Sequence, residues 1–461
     1  MIKEKIPFME KFGYGAFQGV NNLQIQFVNI FILFFFTNVA GLSAAVAGTL
    51  MSFGLIWDGI NDPLIASYAD NHRFRSGERF RPYMIYISFP LAVVTVMLFS
   101  SFPIPITLKV IYYAAGYFLF YSMTTMLRLP MYNMVILATD NPSQRLSLNV
   151  FASGGATIGS ILAGIMLWPI VRSFAGLNPE TKDMINPARG FVFGAAVIGL
   201  LIITGSLFYY FNSRERVQPS QDEADRYGIW KSLAILWKNY NFRYNTLFST
   251  FYWICNTLTS SVSVYYTQYV LNKPNLTTPV MACLAGGSIM ALPFVNKLDT
   301  RFGRKKAMIT GAGLVALSKI IFIPFSNSIP VVMFHAFIIG LSIPTNIVMF
   351  SMTRSEVSDI IEHEYGRRID GMISNIQGLI NKCGSSLTIF VIGITLEAAG
   401  FNSELIKQPA SVIHMLTLLL GWISLAVAVL FVWSASRITI EKETEKLRAL
   451  KLSSLPEEKN N

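Results

Sequence analysis

Two aspartates, Asp58 and Asp62, stand four positions apart inside the apolar run Ile56–Pro63. In a helix, positions i and i+4 share a face, one turn apart. Carboxylates at bilayer depth are costly and line interiors or cavities. Two on one face repel each other, and a proton or metal ion between them relieves the repulsion. Their chemistry is therefore the reversible loading of a cation. Asn61 adds a neutral oxygen beside the pair, and Thr125 offers a hydroxyl if its helix meets theirs. Pro63 has no N–H, so it can leave the carbonyl of Gly59 without its usual donor. Hard cations take oxygen ligands of this kind. Asp58, Asn61, Asp62 and Thr125 are the expected cation set, with Na+ held between Asp58 and Asp62 if sodium is the guest. A proton suits the same carboxylates.

Two basic residues, Arg128 and Lys382, also fall inside apolar runs. With Asp58 and Asp62 their formal charges sum to zero. Mutual neutralisation offsets the cost of burying each alone. An ion-pair network that only holds helices together would use the same residues, but apolar packing would serve that purpose at lower cost.

The elements that must position these groups are membrane helices. Of the 461 residues, 52% are hydrophobic and 14% charged. Soluble domains are about a quarter charged. Mean hydropathy is +0.47. Apolar runs of about 20 residues can span a bilayer. The sequence predicts an all-α, polytopic membrane protein with twelve spans, near 13–37, 43–69, 82–102, 107–134, 146–171, 189–212, 243–270, 277–297, 307–326, 329–353, 369–397 and 410–436. With both termini in the cytoplasm, most of the 37 Lys and Arg fall on inside segments. This is the asymmetry of a multi-pass inner (plasma) membrane protein. It accounts for the net charge of +11 without nucleic acid as a partner. The first span is too long for a cleavable signal peptide.

The chain repeats itself. The loop Asp70–Arg81 holds an acid, then Arg75, a glycine, Arg79 and Arg81. The loop Asp299–Lys306 holds an acid, then Arg301, a glycine, Arg304 and two lysines. Each follows the second span of its half, as expected for duplicated transporter bundles. Asp359, Glu362, Arg367, Arg368 and Asp370 form a comparable charged group before the eleventh span. These loop residues read as gating or structural groups. The expected organisation is a bundle of six helices over 1–212, a cytoplasmic linker over 213–242, a second bundle of six over 243–436 and a cytoplasmic tail over 437–461. Ile229–Trp237 reads as a short amphipathic segment on the membrane surface, and the linker and tail as solvated tethers. Lys319 is expected near the outer end of its span, with its amine reaching the interface.

Several motifs carry a closer likeness: Lys11–Phe17, Phe35–Leu42, Trp57–Pro63, Arg75–Pro82 and Asn381–Gly384. With six plus six spans and a charged central linker, they resemble the glycoside–pentoside–hexuronide:cation symporters, the melibiose permease family of the major facilitator superfamily. The resemblance implies the major facilitator fold and cation-coupled symport of a sugar or glycoside. It also implies that the positions of Asp58, Asn61, Asp62 and Thr125 form the cation site, and that Lys382 links cation and sugar sites. No cofactor beyond the coupling ion, Na+ or H+, is expected, and the carrier is expected to be a monomer.

The sugar side departs from the family pattern. Asn22 occupies the position of a sugar-binding aspartate in the first span. Arg128 stands where the family has aspartate or asparagine, and Asn149 where it has arginine. One positive charge has moved from the fifth span to the fourth. Arg128 either holds an anionic substrate, such as a uronide or sulfosugar, by paired hydrogen bonds, or replaces the missing charge and steadies Asp58 and Asp62. Candidate substrate residues are Asn22, Arg128, Tyr132, Asn149, Gln377 and Lys382, with Gln18 and Gln24 as further polar positions.

A same-fold carrier of a lysolipid or other amphiphile is the competing reading, permitted by the 13% aromatic content. An enzyme is not expected. The four histidines are scattered, and Cys255, Cys283 and Cys383 lie within spans without zinc spacing. No nucleophile motif or phosphate-binding glycine loop occurs.

Overall fold

The structure, a computed structural model, describes residues 6–72, 74, 78, 80–139, 141–178, 184–216, 229–365, 370–403, 405, 407–441 and 443–445. The first six long helices are α1 (Phe8–Asn38), α2 (Ala44–Asn71), α3 (Tyr83–Leu98), α4 (Ile106–Ala138), α5 (Pro142–Ala175) and α6 (Pro187–Asn212). A short α7 (Ile229–Lys238) follows, at the position of the predicted amphipathic segment. Then come α8 (Tyr240–Tyr265), α9 (Thr277–Phe302), α10 (Arg304–Phe322), α11 (Ile329–Tyr365) and α12 (Asp370–Ala398). The last span is α13 (Ala410–Leu418), a π turn over Leu419–Ile423, and α14 (Ser424–Arg437). Among the described residues, eight helices are long and apolar enough to cross a membrane. With α2, α3, α4 and α8 they give the twelve spans expected.

Local chemistry sets the helix ends. The Ser43 hydroxyl caps α2 by accepting from Val46 N, and Asn186 caps α6 by accepting from Arg189 N ahead of Pro187. Pro90, Pro169, Pro293 and Pro344 sit inside helices. Membrane bundles tolerate these because neighbouring groups re-satisfy the freed carbonyls. Large apolar side chains such as Phe53, Val93, Leu200 and Trp422 are exposed. In a membrane helix these are the lipid-facing positions.

The chain divides into two compact units. The first holds Met1–Ala224, Leu258–Ala285 and Ser386–Leu416. Its aromatic core joins Phe27, Phe31, Phe35, Phe99, Trp168 and Phe191. Along the α1–α5 seam, a Cβ added at Gly155 or Gly159 would collide with the backbone of Gly15 or Gly19. The two helices therefore meet main chain to main chain, as small residues allow in membranes. Ser52 Oγ on α2 donates to Ser386 O on α12 at 2.6 Å, and Ser386 Oγ donates to Ser52 O at 2.8 Å. Nearby in this unit, Thr37 Oγ1 lies 2.7 Å from the Tyr265 hydroxyl, and Ala45 N donates to Glu397 at 2.7 Å.

The second unit holds Asp225–Thr257, Gly286–Ser385 and Thr417–Asn461. Phe248, Tyr252, Phe350 and Phe431 pack its core. A polar seam joins α8 to α12. Ser249 and Thr250 both donate to Asn381 Oδ1, at 2.9 and 2.8 Å. The start of the tail is docked rather than solvated. Ile438 and Ile440 are buried, and Thr439 N donates to Asn241 Oδ1 at 2.9 Å.

Candidate functional site

The site is assembled where α2 crosses α4 in the first unit. A Cβ on Gly54 would run into the Tyr117 ring, so glycine is what admits the close approach. One turn on, Trp57 Nε1 donates to Ser122 Oγ at 2.9 Å. These contacts bring Thr125, wholly buried, between the two carboxylates. Its Oγ1 lies 3.2 Å from Asp58 Oδ1 and 2.9 Å from Asp62 Oδ1. Asp58 is 6% exposed and Asn61 4%. Asp62 is half-buried. Asn61 Nδ2 is buried without a hydrogen-bond partner.

A threonine hydroxyl carries one hydrogen and can donate it to only one acceptor at a time. The Thr125 hydrogen therefore serves one of the two carboxylates at a time, and three oxygens converge within hydrogen-bonding range. Carboxylate and hydroxyl oxygens so arranged can take a proton on one carboxyl or a cation among the three. The donors match a hard monovalent cation.

Arg128 lies on α4, about one turn beyond Thr125, and is half-buried. The Asp58 carboxylate and the Arg128 guanidinium both lie within electrostatic reach of the buried Tyr121 hydroxyl, which lies 3.2 Å from that of Tyr117. Asn22 is on α1 and donates to Ala156 O on α5 at 3.0 Å. Gln24 donates to Thr95 Oγ1 at 2.7 Å, a contact between α1 and α3. Asn149 is exposed on α5. The side chains of Tyr132 and Asp70 lie outside the described residues, as do Arg75, Arg79 and Arg368 altogether. Gln377 and Lys382 belong to the second unit. Gln377 is buried and donates to Asn245 O at 3.3 Å and Ser249 Oγ at 3.0 Å, as part of the α8–α12 seam. Lys382 is half-buried on α12.

The charged loops form capping networks. Arg304 grips Asp299 with Nε at 2.7 Å and Nη2 at 3.0 Å, and reaches Glu356 on α11 at 3.2 Å. Arg301 is exposed with its guanidinium over Phe302, and Asp359 is exposed on α11. Arg81 donates to Tyr210 O at 2.8 Å and pairs with Glu78. Sequence reasoning missed Glu215, which accepts from the N–H groups of Phe80 and Arg81 at 2.7 and 2.8 Å and so caps the entry to α3. It also missed Glu441, which accepts from Lys305 N at 3.4 Å at the start of α10. The two caps are 226 positions apart, close to the spacing of the repeated loops. That periodicity is the signal that marks them.

The family model for MFS/sugar transport proteins matches residues 13–442. The chain is 24% identical over 437 residues to the isoprimeverose transporter of Lactiplantibacillus pentosus, covering 93% of this chain and 89% of that one. It is 26% identical over 423 residues to the inner membrane symporter YicJ of Escherichia coli (strain K12), covering 90% and 88%. Among solved structures, it is similar to a bacterial homologue of the human lysosomal transporter Spinster, in an inward-facing conformation. That match has a TM-score of 0.66 at 14% identity and covers 95% of this chain and 97% of that one.

Proposed function

Because this chain belongs to the MFS/sugar transport family, a family of membrane transporters and not of enzymes, we propose that it is a cation-coupled symporter of a sugar or glycoside. The observation that carries this reading is the buried Thr125-bridged carboxylate pair, Asp58 and Asp62, whose oxygens converge on one hydroxyl. The coupling ion, Na+ or H+, occupies that set. Ion binding favours the substrate-ready state, and transport follows by alternating access. A relative named an inner membrane symporter and another named an isoprimeverose transporter support the assignment. Both termini lie in the cytoplasm, in keeping with the distribution of Lys and Arg, and the carrier works as a monomer.

Two roles are open to Arg128: anchoring an acidic cargo, or balancing the charges of Asp58 and Asp62. It stands about one turn from Thr125, where a guanidinium can bind a carboxylate or sulfonate of an acidic sugar. The test is uptake into vesicles, with neutral and acidic sugars offered under separate sodium and proton gradients. Concentrative uptake driven by one ion, lost in Asp62→Asn while the protein still folds, is the expected result. Undiminished uphill transport in that variant overturns the cation role, and competition by lysolipids but by no sugar overturns the substrate class.

A further inference from the structure

A second cluster of ionisable side chains is buried in the second unit, away from the carboxylates. Lys319, in the last turn of α10, is 0% exposed, and His335 on α11 is 3% exposed. The sequence directs the Lys319 amine to the interface, whereas the fold turns it inward. Its Nζ lies 3.3 Å from His335 Nε2 and donates to Leu420 O at 3.1 Å. Leu420 belongs to the π turn Leu419–Ile423 of the last span. Such turns shift the backbone pairing and recur at functional sites.

The hydrogen-bond pattern fixes where the protons are. His335 Nδ1 faces Ser318 O at 3.3 Å. A carbonyl oxygen only accepts, so Nδ1 carries the ring hydrogen. Nε2 then holds the lone pair and accepts from the Lys319 ammonium. Phe322 covers the ring, with centroids 4.8 Å apart. From α8, Cys255 is the titratable side chain within electrostatic reach. From the π turn the facing group is the Leu420 carbonyl. No Asp or Glu occurs in α8, in α10, between 329 and 355 of α11, or between 410 and 437.

We propose that Lys319 and His335 form a second proton-binding site, whose single positive charge holds the π turn of the last span against α10 and α11. A proton added to His335 Nε2 would set an imidazolium N–H against the ammonium. The couple therefore holds one excess proton, on Lys319 with His335 neutral, or on His335 once Lys319 has released its own. When that proton leaves for solvent at alkaline pH, the charge-assisted bond to Leu420 O becomes an ordinary one and the turn loosens. The carboxylate pair of the first unit takes no part, so the site stands whether or not this carrier moves sugars.

The test needs no substrate. Hydrogen exchange of the peptide covering the π turn is measured on the full-length protein in lipid nanodiscs, at about pH 6.5 and about pH 9.5, after correction for intrinsic rates. In the wild type, exchange of the turn should rise about tenfold at the alkaline pH, the scale of one lost charge-assisted bond. Lys319→Arg, which keeps its charge, should stay protected at both. Lys319→Met should exchange fast at both. Equal wild-type protection at the two pH values overturns the proposal, as does a Lys319→Met turn as protected as the wild type. Should Lys319→Met fail to fold, the wild-type and Lys319→Arg curves decide alone, and parallel pH responses in those two reject it.

Discussion

Asp62 Oδ1 and Thr125 Oγ1 stand 2.9 Å apart, joining α2 to α4 through a hydroxyl that also reaches Asp58. Replacing that hydroxyl by a methyl of nearly equal volume leaves the packing and removes one oxygen from the set. Thr125→Val should weaken the half-saturating cation concentration for uptake by roughly tenfold, about 1.4 kcal/mol, the worth of one hydrogen-bonding ligand. The measurement is initial uptake against cation concentration at fixed sugar. Unchanged cation dependence would remove Thr125 from the site.

The α2–α4 approach above the site depends on the missing side chain at Gly54. Gly54→Val should overpack against Tyr117, cost about 1–3 kcal/mol and lower the melting temperature in detergent. Tyr117→Ala should restore part of the loss when combined with it, because the clash disappears. Additive effects in the double variant would show that the two residues do not meet.

Glu10 and Arg216 form a two-pronged pair at 2.8 and 2.7 Å, with Glu10 2% exposed and Arg216 20%. Removing Arg216 strands a buried carboxylate. Arg216→Ala should destabilise the protein by about 2–4 kcal/mol, less than a fully buried pair because the guanidinium is partly solvated. Glu10→Gln with Arg216→Ala should be milder than Arg216→Ala alone, as read from thermal unfolding of the purified protein.

Arg128→Gln separates the two roles open to that residue. If the guanidinium anchors an anion, uptake of acidic sugars should fall about 100-fold, roughly the 2–3 kcal/mol of a charged bidentate contact, while neutral sugars are spared. If it balances Asp58 and Asp62, the cation dependence should shift for every sugar alike. Parallel uptake assays with a uronide and a neutral glycoside tell these outcomes apart.

The convergence of Asp58, Asp62 and Thr125 was legible because helical periodicity alone puts the two carboxylates on one face, and only the meeting of α2 with α4 had to be supplied by the fold. Asp299 and Arg304 were legible for a similar reason: they lie five residues apart around one turn, with Gly303 at φ 84 making the bend. Glu215 and Arg216 were not. Their partners lie 135 and 206 positions away, and a charged linker has the same composition whether it docks or floats. Lys319 was misread because a lysine near a helix end can turn either way, and the direction is set by His335 and Leu420, which a single span does not show. Asn22 and Gln377 have the polarity of sugar ligands, yet Gln377 gives two amide bonds to α8 and Asn22 gives one to α5.

Ser52 and Ser386 each donate to the other's main chain. Such a clasp has no half-fastened form. Drawing the two helices apart by about an ångström along these bonds stretches both past hydrogen-bonding range together. The seam between α2 and α12 is thus binary, made or parted. Any motion that unzips it should proceed as a single click, not a gradual yielding.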